Sequence, residues 1–396
     1  MLEVGNEMKK YFVTISIILC SVFNLQVAAV FAEENEKELA KEAESAILIE
    51  QHTGQVLFDK QADKSLPPAS MTKIMTMLLI MEEMDRGKLK ETDMVKVSEH
   101  AASMGGSQLF LEAGEEMTVK DLLKGIAIAS GNDASVALAE HISGSEAAFV
   151  KAMNQKAKSL GLDHTTFKNT TGLPAKGHKS TARDMAMIAK ELVTYEQILE
   201  YTSLYEDYLR KGTEDEFWLV NTNKLVKFHD DVDGLKTGYT KEAKYCLTAT
   251  AEKDDMRVIS VVMGAEKPKE RNQATTDMLD YAYNNYETTQ KFAKNEHITN
   301  FEHFKAKPYQ TPIITKQAAN LVHEKGKSLS HLTKDVHINK NITLPIQKGD
   351  VIGSLKLKQD DKVVSETDLT VEQDITKADY FTLLKRSMQQ IVNVSE

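Results

Sequence analysis

Hydrophobic and polar positions alternate between two regimes along this chain. Ala46-Ile47-Leu48-Ile49-Glu50 is a short apolar run that predicts a strand, His52-Thr53-Gly54 a turn, and Gln55-Val56-Leu57-Phe58 the return strand. A helix-rich region follows, roughly Ser70 to Tyr205. Within it Ile74, Met75, Met77, Leu78, Leu79, Ile80, Met81 and Met84 leave one helix apolar on nearly every side, so it must be buried. Strand signals return at Tyr245–Ala251 and Arg257–Met263, with Asp254-Asp255 as the turn between them, and a helix is expected at about Arg271–Tyr286. Strand pairs on both sides of a helical insert predict one antiparallel sheet, closed by distant parts of the chain and covered by helices.

From Lys291 to about Thr376 the pattern changes to short strand-like runs: Asn320–Val322, Val336–Ile338, Ile342–Leu344, Val351–Leu357 and Lys362–Val364. Gly349-Asp350 and Asp360-Asp361 stand at turn positions, and the segment reads as a small all-β module without a cluster of catalytic residue types. In the last segment, Lys377 to Val394, a helical projection puts Phe381, Leu384, Met388, Ile391 and Val392 on one face and Lys385 and Arg386 off it. Spacing alone allows two roles, a helix packed on the β module or an interfacial membrane anchor.

At the other end, Lys9-Lys10 precede an apolar run, Tyr11–Phe23, that closes on small residues before Glu33. This is the pattern of a secretory signal, with cleavage expected after Ala32 and Met8 as an alternative start. An uncleaved anchor is the competing reading. The expected organisation is therefore a signal over 1–32, a main α+β domain over 33–290, a β domain over 291–376 and an amphipathic helix over 377–396.

Composition narrows the classes. The 396 residues carry 49 Lys and Arg against 59 Asp and Glu, a net charge of −10 that argues against a nucleic-acid partner. Only Cys20 and Cys246 are present, which excludes a disulfide scaffold and a cysteine-rich zinc module. No His-Glu-x-x-His pair supports a zinc peptidase, and no cofactor is expected.

Three short motifs carry candidate chemistry. In Ser70-Met71-Thr72-Lys73 the serine opens the buried helix, where backbone N–H groups favour developing negative charge, and the lysine lies three residues on, on the same face. A lysine in a buried setting has a depressed pKa and can take the serine proton. In Ser130-Gly131-Asn132 the serine can relay a proton and the asparagine amide can bind a substrate carbonyl. In Lys236-Thr237-Gly238-Tyr239-Thr240, read as entering the strand that ends at Ala251, the glycine lets a substrate backbone approach a strand edge while Lys236 and Thr237 offer donors to a carboxylate. The Lys-Thr-Gly triplet is the rarest, with about 0.1 matches expected by chance in a chain of this length.

The order Ser-x-x-Lys, Ser-x-Asn, Lys-Thr-Gly resembles the serine β-lactamases and penicillin-binding proteins. Phe167–Pro174, His178–Met185 and Gly234-Leu235 further resemble the low-molecular-mass penicillin-binding proteins, the serine-type D-alanyl-D-alanine carboxypeptidases, over roughly Ala46–Tyr286. Gly131 stands where class A β-lactamases usually carry Asp, and no Glu-x-x-Leu-Asn is present. The resemblance implies a serine β-lactamase/D,D-peptidase-like fold and two-step acyl transfer on a peptidoglycan stem peptide. Ser70 would be the nucleophile, Lys73 the base and Ser130 the proton relay, with an oxyanion site at the backbone N–H groups of Ser70 and Tyr239. It also implies substrate contacts from Asn132, Lys236, Thr237, Gly238, Tyr239 and Arg271, acylation of Ser70 by β-lactams, an address outside the cytoplasmic membrane, and the anchor role for the C-terminal helix. A D,D-endopeptidase, a β-lactamase and a non-catalytic penicillin-binding receptor or scaffold are the alternatives. His178 and Asp184 are expected to fix a loop beside the site, and Cys246 to be a buried small residue.

Overall fold

The computed structural model describes residues 39–327, 329–339 and 342–393. The expected signal segment, with its cleavage point at Ala32, lies outside them.

The central sheet is antiparallel. Its strands are β1 (Ser45–Glu50), β2 (Val56–Lys60), β3 (Val232–Thr240), β4 (Lys244–Lys253) and β5 (Met256–Ala265), in the order β2-β1-β5-β4-β3. The pairing of β1 with β5, with Ala46 opposite Val262 and Leu48 opposite Ser260, closes the sheet across the whole helical insert. Both faces of β1 and β5 are covered, which is why they read as unbroken apolar runs. Ile47, Ile49, Ile259, Val261 and Met263 face the helical insert. Ala46, Leu48, Val258 and Val262 face Ala274, Met278 and Ala282 of a helix that starts at Pro268.

The insert contributes α1 (Lys73–Asp85), α2 (Val119–Ala129), α3 (Asn132–Ser143), α4 (Glu146–Ser159) and α5 (Ala182–Leu192), and the helix behind the sheet is α6 (Pro268–Asn285). As its composition predicts, α1 is buried on all sides from Lys73 to Glu82. It packs against α5 and α3, so its N-terminal end is held in the middle of the domain rather than at its surface.

Three expectations need correction. Lys236-Thr237-Gly238 does not enter the strand that ends at Ala251. It lies on a strand of its own, β3, and Lys241–Ala243 turn the chain before β4, with Lys244 at a φ of 57°. Ile342–Leu344 is not a strand; nearby, Ile346 makes a single bridge to Ile375. The β module starts already at Tyr286, ahead of Lys291, and includes the strands Tyr286–Phe292, His297–Glu302 and Gln310–Thr315. The first two are half-exposed and polar, so they lack an apolar signal.

The module's main sheet has five strands and a core around Ile313, Leu355, Leu357, Leu369 and Val371. The terminal helix α7 (Tyr380–Asn393) follows, its first turn capped by Asp379, whose carboxylate accepts from the Thr382 N–H and hydroxyl. Its expected apolar face is turned away from the module: Phe381 is 79% exposed, Leu384 44% and Met388 60%. The side chains of Ile391 and Val392 lie outside the described ones. The opposite side holds on through Arg386, which donates to the carbonyls of Phe304 and Ala306 and stacks over the Tyr309 ring.

Candidate active site

The nucleophile candidate sits in a single 3-10 turn, Ala69–Thr72, that leads directly into α1. Pro67-Pro68 precede it, and Ala69 adopts a φ of 49°, a left-handed conformation uncommon for a residue with a side chain. Two glycines let neighbouring backbone close on this turn. A Cβ on Gly172 (φ 82°) would lie 1.8 Å from the Ala69 carbonyl oxygen. A Cβ on Gly238 would lie 2.8 Å from the Pro68 carbonyl oxygen and 3.2 Å from the Ser70 nitrogen. The edge strand β3 and the loop after α4 therefore press on the serine turn from two directions.

Lys73 is the fully buried centre of the site. Its Nζ donates to Asn132 Oδ1 at 2.6 Å and to the Thr171 carbonyl at 2.8 Å, and lies 3.4 Å from Ser70 Oγ. Burial, and next the positive charge of Lys236, push its pKa well below that of an ordinary lysine, opposed by Asp133. A neutral amine has two N–H donors and one lone pair. In the neutral form, the two donors can go to the two carbonyl oxygens, which leaves the lone pair for the Ser70 hydroxyl.

Both carbonyls are held from behind. Asn132 Nδ2 donates to the Gly105 carbonyl, and Asp133 Oδ2 accepts from the Leu109 N–H at 2.8 Å. Asn169 Oδ1 accepts from the Gly172 N–H at 2.7 Å and its Nδ2 donates to the Leu173 carbonyl, which fixes the loop carrying Thr171. Asn132 was expected to bind a substrate carbonyl. In the structure its carboxamide is engaged at both ends and positions Lys73.

Ser130 ends α2 in a left-handed conformation, φ 65°, and its buried hydroxyl has no hydrogen-bond partner among the described residues. Strain of this kind costs on the order of 1 kcal/mol and, together with an unsatisfied hydroxyl, marks a group held for a ligand. Lys236 is also fully buried, and its pKa falls to about 7 through burial and, second, the charge of Arg271. Arg271, in the first turn of α6, is buried in turn and holds Asn272 Oδ1 through Nε and Nη2. Thr237 Oγ1 donates to Thr222 Oγ1 at 2.8 Å. Tyr239, half-exposed, stacks on Tyr245 across the strand pair with ring centroids 4.4 Å apart.

The sequence reading missed Thr171 and Thr222, which act through a backbone carbonyl and a loop hydroxyl and belong to no spacing pattern. His178 and Asp184 do not meet. His178 accepts from the Lys168 N–H at Nδ1 and so donates from Nε2 to Thr72 Oγ1 at 2.8 Å, while Asp184 accepts from the Thr165 hydroxyl. The histidine thus buttresses the serine turn, and burial lowers its pKa to about 4, so it stays neutral. Cys246 is buried, and burial raises its thiol to about 11.

A serine hydroxyl beside a buried lysine, with a second hydroxyl and a cationic strand edge close by, on a sheet closed around a helical insert, is the arrangement of an acyl-transferring serine enzyme of the penicillin-binding class. Residues 31–267 match the D-alanyl-D-alanine carboxypeptidase family model, and residues 286–377 match that of the C-terminal domain of penicillin-binding protein 5. The chain belongs to the D-alanyl-D-alanine carboxypeptidase family and is a serine-type hydrolase. It is 54% identical to the D-alanyl-D-alanine carboxypeptidase DacF of Bacillus subtilis over 94% of this chain and 97% of that one. It is 33% identical to DacA of Escherichia coli over 86% of this chain and 85% of the other. Among solved structures, penicillin-binding protein 5 from Haemophilus influenzae superposes with a TM-score of 0.67 at 31% identity, covering 85% of this chain and 98% of that one.

Two outcomes follow from this geometry. Gly172→Ala must displace the Ala69 carbonyl, so acylation by a labelled penicillin should slow by about 100-fold or more, with about 1–3 kcal/mol lost in thermal unfolding. An unchanged acylation rate would show that the serine turn does not depend on this contact. The two lysines also set opposite pH limbs. A base must be neutral, so kcat/KM falls as pH drops through the depressed pKa of Lys73. A carboxylate-binding cation must be charged, so kcat/KM falls as pH rises through the pKa of Lys236, about 7 in the unliganded site. Lys236→Arg should move the alkaline limb upward, because a guanidinium keeps its charge; a pH profile with the limb unmoved assigns it to another group.

Proposed function

We propose that this carboxypeptidase removes the terminal D-alanine from peptidoglycan stem pentapeptides through an acyl-enzyme on Ser70. The observation that carries the reading is the saturation of Lys73 by two carbonyl oxygens with its remaining lone pair beside Ser70 Oγ. Lys73 takes the hydroxyl proton as Ser70 attacks the carbonyl between the two D-alanines. The N–H groups of Ser70 and Tyr239 hold the oxyanion, since Gly238 keeps those two backbones adjacent. Ser130 passes a proton to the amine of the leaving D-alanine, whose carboxylate rests against Lys236, Thr237 and Arg271. Water then attacks the ester and frees Ser70. β-Lactams, carrying a strained amide and a carboxylate at the same separation, acylate Ser70 in the same way.

The test incubates the full chain with a pentapeptide ending in D-Ala-D-Ala and, separately, with a labelled penicillin. D-alanine release and a stable adduct, both lost in Ser70→Ala, are expected. Rapid penicillin hydrolysis without D-alanine would make it a β-lactamase, and an adduct without turnover of either would make it a receptor.

The same reading places the protein outside the cytoplasmic membrane, on a membrane surface. Among the described residues no helix is long and apolar enough to cross a membrane. The support is instead α7, whose aromatic and methionine side chains point away from the β module while Arg386 ties its other side down. Removing 377–396 should release the protein from the membrane fraction without changing D-alanine release. Retention of a signal-cleaved, helix-deleted chain on the membrane would overturn this.

A further inference from the structure

A two-stranded hairpin, Glu206–Leu209 paired with Phe217–Val220, stands beside the helical insert, and its burial alternates along both strands. The inward face packs: Leu209 and Leu219 belong to the core of the insert, and Phe217 meets Phe110 edge-on with ring centroids 5.8 Å apart. The outward face carries Tyr208 and Trp218, directly opposite each other across the ladder and 40% and 54% exposed. Glu206 Oε2 accepts from the Trp218 indole N–H at 3.2 Å, and Lys211 Nζ lies 6.0 Å from the Tyr208 ring centre. Two aromatic rings thus face solvent with an acceptor and a donor beside them.

The hairpin is tied to the serine site. Arg210, which follows its first strand, donates to both carboxylate oxygens of Glu115, at 2.7 and 3.1 Å. After the second strand, the Thr222 N–H donates to the Ile128 carbonyl, and the Thr222 hydroxyl accepts from Thr237. Trp218 is four residues from Thr222, so at most about 14 Å of extended chain separates the two. A pentapeptide with its carboxylate at Lys236 and Thr237 reaches back about 17 Å when extended, which brings its far end within range of the two rings.

The chemistry of the pair selects its ligand. An aromatic face carries partial negative charge, and the axial C–H groups of a pyranose ring carry the complementary partial positive charge. Glu206 and Lys211 can meet the hydroxyl and acetamide groups at the sugar's edge. A lipid surface fits worse. The tip of the hairpin, which would enter it first, has no apolar side chain and carries Glu214, Asp215 and Glu216 against Lys211 and Arg210.

We propose that Tyr208 and Trp218 form a platform for sugar rings of the glycan that carries the stem peptide, so that peptide still attached to its glycan binds better than free peptide. The inference rests on the carboxypeptidase reading above, which supplies the glycan as the occupant.

Trp218 is the single tryptophan of the chain, so intrinsic tryptophan fluorescence reads the platform directly. Titrating the full chain with an oligosaccharide of alternating N-acetylglucosamine and N-acetylmuramic acid, stripped of peptide, should shift that emission to saturation. The kinetic arm compares one pentapeptide ending in D-Ala-D-Ala, free and attached to a disaccharide of the same two sugars. In the parent chain KM should be about three- to tenfold lower for the attached form. Trp218→Ala and Tyr208→Ala should each remove most of that advantage, and Trp218→Phe should keep most of it. In all three variants kcat, KM for the free peptide and acylation by a labelled penicillin should stay as in the parent. Equal KM for the two substrates in the parent, or an emission that the oligosaccharide leaves unmoved, would overturn the platform and leave the carboxypeptidase reading intact. An emission shift with anionic lipid vesicles and none with the oligosaccharide would overturn it in favour of a membrane contact. Absence of D-alanine release from both substrates, with penicillin acylation intact, would overturn the carboxypeptidase reading and with it the glycan as the occupant.

Discussion

The site depends on one costly placement, a lysine with no exposed surface set close to a second buried lysine. An ammonium in that position loses its hydration and is repelled by its neighbour, so the neutral amine is the form the fold favours. A neutral amine is useful only if its lone pair is aimed, and aiming it requires both N–H groups to be occupied elsewhere. Asn132 Oδ1 and the Thr171 carbonyl meet that requirement, and each is fixed by a second layer: Gly105 behind Asn132, and Asn169 behind the loop of Thr171. The strained Ser130 and the glycine contacts at Gly172 and Gly238 follow from packing a loop, a helix end and a strand around the same few atoms.

Much of this was legible in the sequence, but unevenly. The buried strands and α1 were legible because full burial leaves an unbroken apolar record. Ser70, Lys73 and Lys236 were legible as motifs, since their side-chain chemistry is tied to short spacing. What escaped were contributions with no side-chain signature. Thr171 acts through its carbonyl, and its side chain could be many others. Thr222 meets Thr237 only because the chain before β3 returns to the sheet edge. Asn132 was identified for a substrate carbonyl; its further contact with Lys73 escaped, because a sequence does not say what an amide's oxygen meets. The half-exposed strands Tyr286–Phe292 and His297–Glu302 escaped for the opposite reason to α1: too little of each is buried to write a pattern.

The C-terminal module obeys a different logic from the catalytic domain. Its core is small and continuous, and among the described residues its terminal helix is held to it by the Arg386 guanidinium and by an ion pair of Asp379 with Lys307. Helices in water bury their apolar stripe, since leaving it exposed forgoes about 25 cal/mol for each Å². A stripe held outward by a polar attachment on the other side is free to meet a second apolar phase, which is the ground for the proposed membrane attachment.

The sheet edge ties the remaining parts together. An unpaired edge strand is a hazard, because any extended chain can add to it. Here β3 is the edge, yet it is not freely open: the serine turn lies against Gly238, and Lys236 is buried beside it. A long strand cannot add past the serine turn, but a short peptide that ends there can. Under the proposed function, the positive charge of Lys236 and Arg271 at one end gives a bound peptide one favoured direction, with its carboxylate terminus at that end. On that reading, an edge that takes a chain end in one direction would give exopeptidase selectivity without a lid: the cation would select the terminus, and the serine turn would fix which carbonyl lies over Ser70.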